Sequence, residues 1–249
     1  MIGESDRIVG ISGYTVRPAQ ARKEKPRISA FTSAKIDKIL ALKPDLVLGF
    51  SDLQADIAAD LIRAGQCVMI FNQRSVDGIL RMITVLGAMV GANQEAEFLV
   101  KKCSEHIHKI RQEISYPLPK VYFEEWDNPQ ISAIKWVSEL IAIAGGIDIF
   151  NELSSRQDAK GRIISNLNEV VVRKPDIIIG SWCGKKFAPD KVKTRNDWNL
   201  VPAVQSNQIY EIKSADILQP GPGALIDGLS QLRQIIEKWH SSKSISSDK

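Results

Sequence analysis

Lys174-Pro175-Asp176-Ile177-Ile178-Ile179-Gly180-Ser181-Trp182 decides the fold class of this chain. Pro175 stops the preceding helix. Three β-branched residues follow, the continuous apolar run of a strand covered on both faces. Gly180 is expected to let the chain turn. Ser181, Trp182, Cys183 and Gly184 then lie just past the strand's carboxyl end, where open α/β sheets take ligands. The stretch has an echo in Lys43-Pro44-Asp45-Leu46-Val47-Leu48-Gly49-Phe50. Each copy follows a short amphipathic helix, with Ile36, Ile39, Leu40 and Leu42 before the first and Leu167, Val170, Val171 and Val172 before the second. Two copies predict two similar lobes, each offering an aromatic at a strand end. The plainer reading is that helix, Lys-Pro-Asp and strand make a common α/β corner.

Outward from these strands, helical and strand periods alternate, which argues for parallel sheets. Strands are expected at 7–12, 46–50, 67–71, 121–125, 176–181 and 208–212. Helices are expected at 33–42, 52–64, 76–90, 93–114, 132–144, 166–173, 189–194 and 224–239. Residues 15–27 read as a polar, basic loop and 147–162 as a second loop. Asn166 with Glu169 three residues later resembles a capping box. The longest helical stretch has Asn93 as N-cap and an unbroken stripe of Ala96, Leu99, Val100, Cys103, Ile107, Ile110 and Ile114. At 1.5 Å per residue it spans about 33 Å. Four segments result: an N-terminal α/β lobe at 1–92, a connecting helix at 93–115, a C-terminal α/β lobe at 116–240 and a polar, disordered tail at 241–249. A core helix inside one domain explains the stripe equally well.

Composition narrows the function. The 249 residues carry a net charge of +4 with both signs interspersed, which gives nucleic-acid binding little support. No apolar run approaches the roughly 18 residues of a membrane span. Cys67, Cys103 and Cys183 lie far apart and form neither zinc spacing nor a disulfide framework. His106 and His108 point to different faces of a helix, so no metal site is expected there. Met1 to Arg7 contains no apolar leader region. Taken alone, that makes the mature chain cytosolic, or its leader has been left out.

No catalytic apparatus stands out. The chain lacks a nucleophile elbow, a phosphate loop and a dinucleotide fingerprint. Cys183 near Lys185 and Lys186 is a candidate thiolate, and a half-buried strand-end cysteine is the plainer reading. Glu124 and Glu125 are neighbours on a strand and face opposite ways. Aromatics follow several strands, namely Tyr14, Phe50, Trp126 and Trp182. They suit a flat, amphipathic ligand, or else each is a core residue.

EEWDNPQISAIKWVSELIAIAGG (124–146), RKPDIIIGSWCGKKF (173–187) and IYEIKSADILQPGPGALIDGL (209–229) resemble the helical-backbone (class III) periplasmic substrate-binding proteins of ABC importers. Among these the chain looks most like cobalamin-binding receptors. The resemblance covers roughly residues 4–240. It implies two Rossmann-like α/β lobes with parallel sheets, joined by one long interlobe α-helix. The implied ligand is cobalamin or a related corrinoid held in the cleft between the lobes, with no cofactor, no catalysis and no resident metal. Carried over by position, the ligand-binding residues are Tyr14, Phe50, Trp126, Ile131, Trp182 and Asp216. The arginine that accompanies this aspartate in some relatives falls near Pro220 here. Asp56 and Asp190 match the surface acids that dock onto the permease. The implied location is periplasmic or at the cell envelope. Family members also open with a strand and a helix before the segment that GESDRIVGIS matches, so an exposed sheet edge is expected at the start of this chain. An iron–siderophore or haem receptor of the same fold is the nearest alternative. A cytosolic corrinoid-binding or salvage enzyme using Cys183 is the other.

The connecting helix generates the first test. Ile107→Pro removes a helical hydrogen bond in mid-stripe and should cost about 3 kcal/mol or more. Thermal melting should show a sharply lowered midpoint; co-melting with the wild type would mean that this segment is not a packed helix.

Overall fold

The computed structural model describes residues 1–247. The chain divides into two compact units, one of residues 1–73 with 81–99, the other of residues 74–80 with the chain from Val100 onward. In the first unit, β1 (Ile11–Ser12), α1 (Ala21–Glu24), β2 (Arg27–Ser29) and α2 (Ile36–Ala41) are followed by β3 (Val47–Gly49), α3 (Ala55–Arg63) and β4 (Val68–Ile70). β1 pairs with β2 and β3 with β4, both in parallel, as two separate two-stranded sheets. Two expectations change here. The strand forecast at 7–12 shrinks to two residues, because Ser5–Arg7 forms a 3-10 turn and the Arg7 guanidinium reaches the Val90 carbonyl at 2.6 Å. The basic loop at 15–27 ends in β2, held by bonds from the Ile11 and Gly13 amides to the Pro26 and Ser29 carbonyls. A pairing partner that distant in sequence leaves no local pattern to read.

α4 (Val76–Val90) and α5 (Asn93–Gln112) each carry residues of both units, where one connector at 93–115 was expected. The stripe of α5 is buried at Ala96, Leu99, Cys103, Ile107 and Ile110. The first amide of α4, at Val76, donates to the Glu139 carboxylate at 2.7 Å, which caps the positive helix end.

The second unit is a five-stranded sheet with helices. Its elements are β5 (Lys120–Asp127), β6 (Gln130–Ser132), α6 (Lys135–Ala144), β7 (Ile147–Asp148), α7 (Asn151–Ser154), α8 (Asn168–Arg173), β8 (Ile177–Gly180), α9 (Pro189–Lys193), α10 (Pro202–Gln205), β9 (Ile209–Glu211), α11 (Ser214–Ile217) and α12 (Leu229–Ser247). β8 runs parallel between β5 and β9. The other edge of β5 is shared: β7 pairs in parallel with its start, and β6 returns antiparallel along its end. Ile177, Ile178 and Ile179 are wholly buried, as a strand covered on both faces requires. Tyr122, Phe150, Trp182, Phe187 and Trp198 fill one core cluster with Ile178. Elsewhere α6 packs on α12, and Val137, Leu140, Ile141, Leu232 and Ile236 are buried. Arg233 of α12 joins two helix ends: its guanidinium donates to the Glu113 carbonyl just past α5 and to the Ala144 carbonyl of α6.

The echo is real in the backbone. Lys43 and Lys174 both sit in the left-handed region, at φ 46° and 50°. The proline after each disfavours the right-handed helical region, so each lysine ends its helix. The two glycines act differently from the expectation. Gly180 is an ordinary strand residue, and a Cβ there would stand 1.9 Å from the Phe187 ring. A Cβ on Gly49 would stand 2.4 Å from Ile70. Both glycines serve close packing against the strand end and make no turn.

Three more expectations are corrected. Residues 147–162 contain β7, α7 and a 3-10 turn at Lys160–Arg162. The Asn166 carbonyl oxygen of the side chain takes the Asn168 amide, while Glu169 pairs with Arg173 at 2.8 Å, so no reciprocal capping box forms. α12 continues to Ser247 where a disordered tail was expected from 241. Ser242 accepts from Gln208 and Lys243 lies 5.2 Å over the Trp239 ring, contacts that extend the helix. Residues 248–249 of that tail lie outside the described residues. Among the described residues no helix is long and apolar enough to cross a membrane.

Gly180→Ala should destabilise the second unit by about 1–3 kcal/mol through overpacking against Phe187. Urea unfolding measures it, and an unchanged midpoint would mean that Phe187 yields without cost.

Candidate functional site

The end of β5 reads Glu124-Glu125-Trp126-Asp127, three acids around one aromatic. Against β6, Glu124 pairs with Ser132 but Trp126 pairs with Ile131, so Glu125 is an extra residue, a β-bulge. The slip brings Glu124 and Asp127, which strict alternation would face apart, onto one segment, residues 182–195. Glu124 is wholly buried and takes four donors: Tyr122 Oη at 2.8 Å, Trp182 Nε1 at 2.9 Å, and the Arg195 guanidinium at 2.6 and 2.8 Å. Asp127 is also buried and takes Lys185 Nζ at 2.9 Å and Lys191 Nζ at 2.6 Å. Glu125 goes to a different partner, Arg162, which is itself buried and also donates to the Ser132 carbonyl. So Glu124 and Glu125 do diverge, and each is matched by an arginine.

The electrostatics follow from this pairing. Burial opposes ionisation of Asp127, and the ammonium groups of Lys191 and Lys185 together outweigh it, holding the carboxyl below its ordinary value. Burial raises the Tyr122 phenol well above its usual range, and the Glu124 carboxylate adds to that. Burial likewise raises the Cys183 thiol, and Glu125 raises it further. A thiol shifted this way holds less thiolate, which speaks against the nucleophile considered for Cys183.

Trp126 and Ile131 are cross-strand partners and both are half-buried. Trp126 Nε1 donates to the Asn128 carbonyl at 2.9 Å, which fixes the ring, and Lys185 Nζ lies 5.5 Å from its centre. Trp182 is different. It is 3 % exposed, packs edge-on against Phe187 at 5.0 Å and spends its indole N–H on Glu124. Trp182, expected as a ligand contact or else a core residue, has its side chain buried behind Glu124. Its position after an all-apolar strand left both outcomes open.

Phe50 is half-buried and tilted against Phe31 at 5.5 Å. Gln54 pins the pair, accepting from the Phe50 amide at 2.9 Å and donating to the Phe31 carbonyl at 3.2 Å. Tyr14 is 57 % exposed just beyond β1. Asp216, on α11, accepts from Gln231 Nε2 of α12 at 3.3 Å. Asp56 and Asp190 are exposed in the first turns of α3 and α9. His106 bonds to Ser230, and His108 to Gln112. Among the described residues no group of three His, Cys, Asp or Glu side chains is placed to hold a metal ion. Asp127, Arg162, Lys191 and Arg195 were not singled out from the sequence, and Lys185 was noted only beside Cys183. The one usable signal was the density of cations in 185–195 set against the acids of 124–127.

Comparison with known proteins gives the class of this α/β chain. The family model described as periplasmic binding protein matches residues 1–215. The chain belongs to that family, the substrate-binding proteins of ABC importers. It is 24% identical over 246 residues to an uncharacterized ABC transporter substrate-binding lipoprotein, YvrC, of Bacillus subtilis, covering 94% of this chain and 74% of that one. It is 23% identical over 228 residues to a vitamin B12-binding protein of Vibrio campbellii, covering 88% and 78%. Among solved structures, the periplasmic heme-binding protein RhuT from Roseiflexus sp. RS-1 superposes with a TM-score of 0.78 at 22% identity, covering 94% and 93%.

Arg195→Met leaves Glu124 buried without its guanidinium and should cost about 3–5 kcal/mol. Pairing it with Glu124→Gln should recover part of that loss in urea unfolding. Additive losses would show that the two groups do not act as a pair.

Proposed function

We propose that the chain receives a flat, largely apolar macrocycle of the corrinoid kind and delivers it to the permease of an ABC importer at the cell envelope. The observation that carries this reading is Trp126, a half-buried ring fixed by Asn128 and flanked by Ile131 at a strand end. Phe50, backed by Phe31, and the exposed Tyr14 are further proposed contacts. Asp216 is proposed as a polar contact, and Trp182 as the support behind Glu124. Relatives named for vitamin B12 binding favour a corrinoid. Haem is the second reading, favoured by Tyr14, since a tyrosine phenolate can ligate ferric haem iron. Asp56 and Asp190 are proposed to dock the loaded receptor, each carboxylate being exposed at a helix start.

Cyanocobalamin and haemin are titrated separately into purified protein and followed by tryptophan quenching. Saturable one-to-one binding of cyanocobalamin is expected. Trp126→Ala and Phe50→Ala should each weaken it by about 1–3 kcal/mol, roughly five- to two-hundred-fold. Trp182→Ala should instead lower stability by about 3–5 kcal/mol, as loss of a buried tryptophan does. Haemin binding without cyanocobalamin binding would move the reading to haem. Normal affinity in both aromatic variants would remove these residues from the site. Asp56→Arg should leave affinity unchanged and abolish uptake in cells; loss of affinity would place Asp56 in the ligand site.

A further inference from the structure

The ion pairs at the end of β5 do not balance. Glu124 is matched by Arg195 and Glu125 by Arg162, but Asp127 is met by two ammonium groups. One cation suffices to neutralise one buried carboxylate, so a positive charge is left over. That charge is accessible. The Asp127 side chain is 1 % exposed, while those of Lys185 and Lys191 are 45 % and 57 % exposed. Each ammonium has three N–H donors and no acceptor capacity. Lys185 spends its short contacts on the two Asp127 oxygens, Lys191 on one. Donor capacity therefore remains on two part-exposed side chains.

Their position is also informative. Lys185 Nζ lies 5.5 Å from the Trp126 ring centre and 5.2 Å from that of Trp182; Lys191 Nζ lies 5.8 Å from Trp182. The buried carboxylate and the ring faces hold both ammonium groups on short tethers, which reduces the rotamer entropy that a free surface lysine would lose on binding an anion. Trp126 has already given its indole N–H to Asn128, so what it offers a ligand is its apolar surface. A surplus positive charge beside a fixed aromatic surface fits a ligand with a flat body and an acidic edge.

We propose that Lys185 and Lys191 form an anion subsite beside Trp126, taking a carboxylate or phosphate substituent of the transported ligand while its ring body lies against the indole. This rests on the reading of Trp126 as a ligand contact. Corrinoids supply such a group in the phosphodiester of the nucleotide loop, haem in its two propionates. Both offer the same chemistry to the lysines, and the sources separate by experiment.

Three ligand pairs differ in the anion: cyanocobalamin against dicyanocobinamide, which lacks the phosphate, haemin against its dimethyl ester, and anionic ferric citrate against neutral ferrichrome. Each is titrated against wild type, Lys185→Gln, Lys191→Gln and the control Lys186→Gln. Each single variant leaves one ammonium on Asp127, and thermal melts confirm folding. Lys185→Arg and Lys191→Arg keep the charge if a glutamine variant fails to fold. For whichever pair binds, the member that carries the anionic group should lose about tenfold in affinity in both glutamine variants, as loss of one hydrogen bond to a charged group does, and be largely restored by arginine. The neutral member and the Lys186→Gln control should stay within about twofold of wild type. Equal losses for both members, or none, would overturn the anion subsite while leaving the macrocycle reading intact. Lysine-dependent binding of ferric citrate alone would keep the subsite and overturn the macrocycle. Failure of all six ligands to bind would overturn both.

Discussion

Burying a carboxylate is expensive unless it is paired and fully hydrogen-bonded. Glu124 meets that condition through donors drawn from three places: Tyr122 on its own strand, Trp182 just past β8 and Arg195 just past α9. Those bonds tie the segment after β8 to the end of β5. The bulge at Glu125 then turns Asp127 toward the same segment, where Lys185 and Lys191 close the contact. Most of what is distinctive about the second unit depends on this arrangement. Residues 182–195 are also anchored by apolar burial of Phe187 and Val192, and the ion pairs fix their polar side against the end of β5.

The same pairing explains why the aromatic residues take different roles. Trp182 supplies a donor to a buried acid, so it must go inward and pack on Phe187. Gly180 makes room for that ring. Trp126 lies one residue past the bulge, keeps its N–H within its own hairpin and remains half-exposed. Ligand contact is thus proposed for the ring that the ion pairs frame, and support for the ring that they consume. In the first unit Gln54 does comparable work with uncharged bonds, holding Phe50 and Phe31 together.

Much of the fold was legible because its signals are local. Lys-Pro-Asp followed by three aliphatics marked β3 and β8, and the stripe from Ala96 to Ile110 marked α5. The equivalent left-handed lysines show that the echo reflects a shared backbone solution. What escaped was non-local. β2 and β7 are short and exist only through their partners. The candidate site was half legible: Trp126 and Ile131 do meet across a hairpin. Strict alternation faced Glu124 and Glu125 apart, and they do diverge, but the extra residue at 125 brings Asp127 onto the segment that Glu124 also meets. No pattern along the chain announces such a bulge, so the lysines and arginines that answer those acids stayed hidden. Ligand identity is further from reach still, because it depends on a few side chains at strand ends while the fold depends on the whole core.

The central claim is that a ligand is recognised at the bulged end of β5 and the segment tied to it. Hydrogen–deuterium exchange with and without saturating ligand tests it most directly. The account predicts ligand-dependent protection in peptides covering 126–131 and 182–195, with little change in α10 and α12, which serve the core. Protection confined to other segments, with 126–131 and 182–195 exchanging as before, would contradict it.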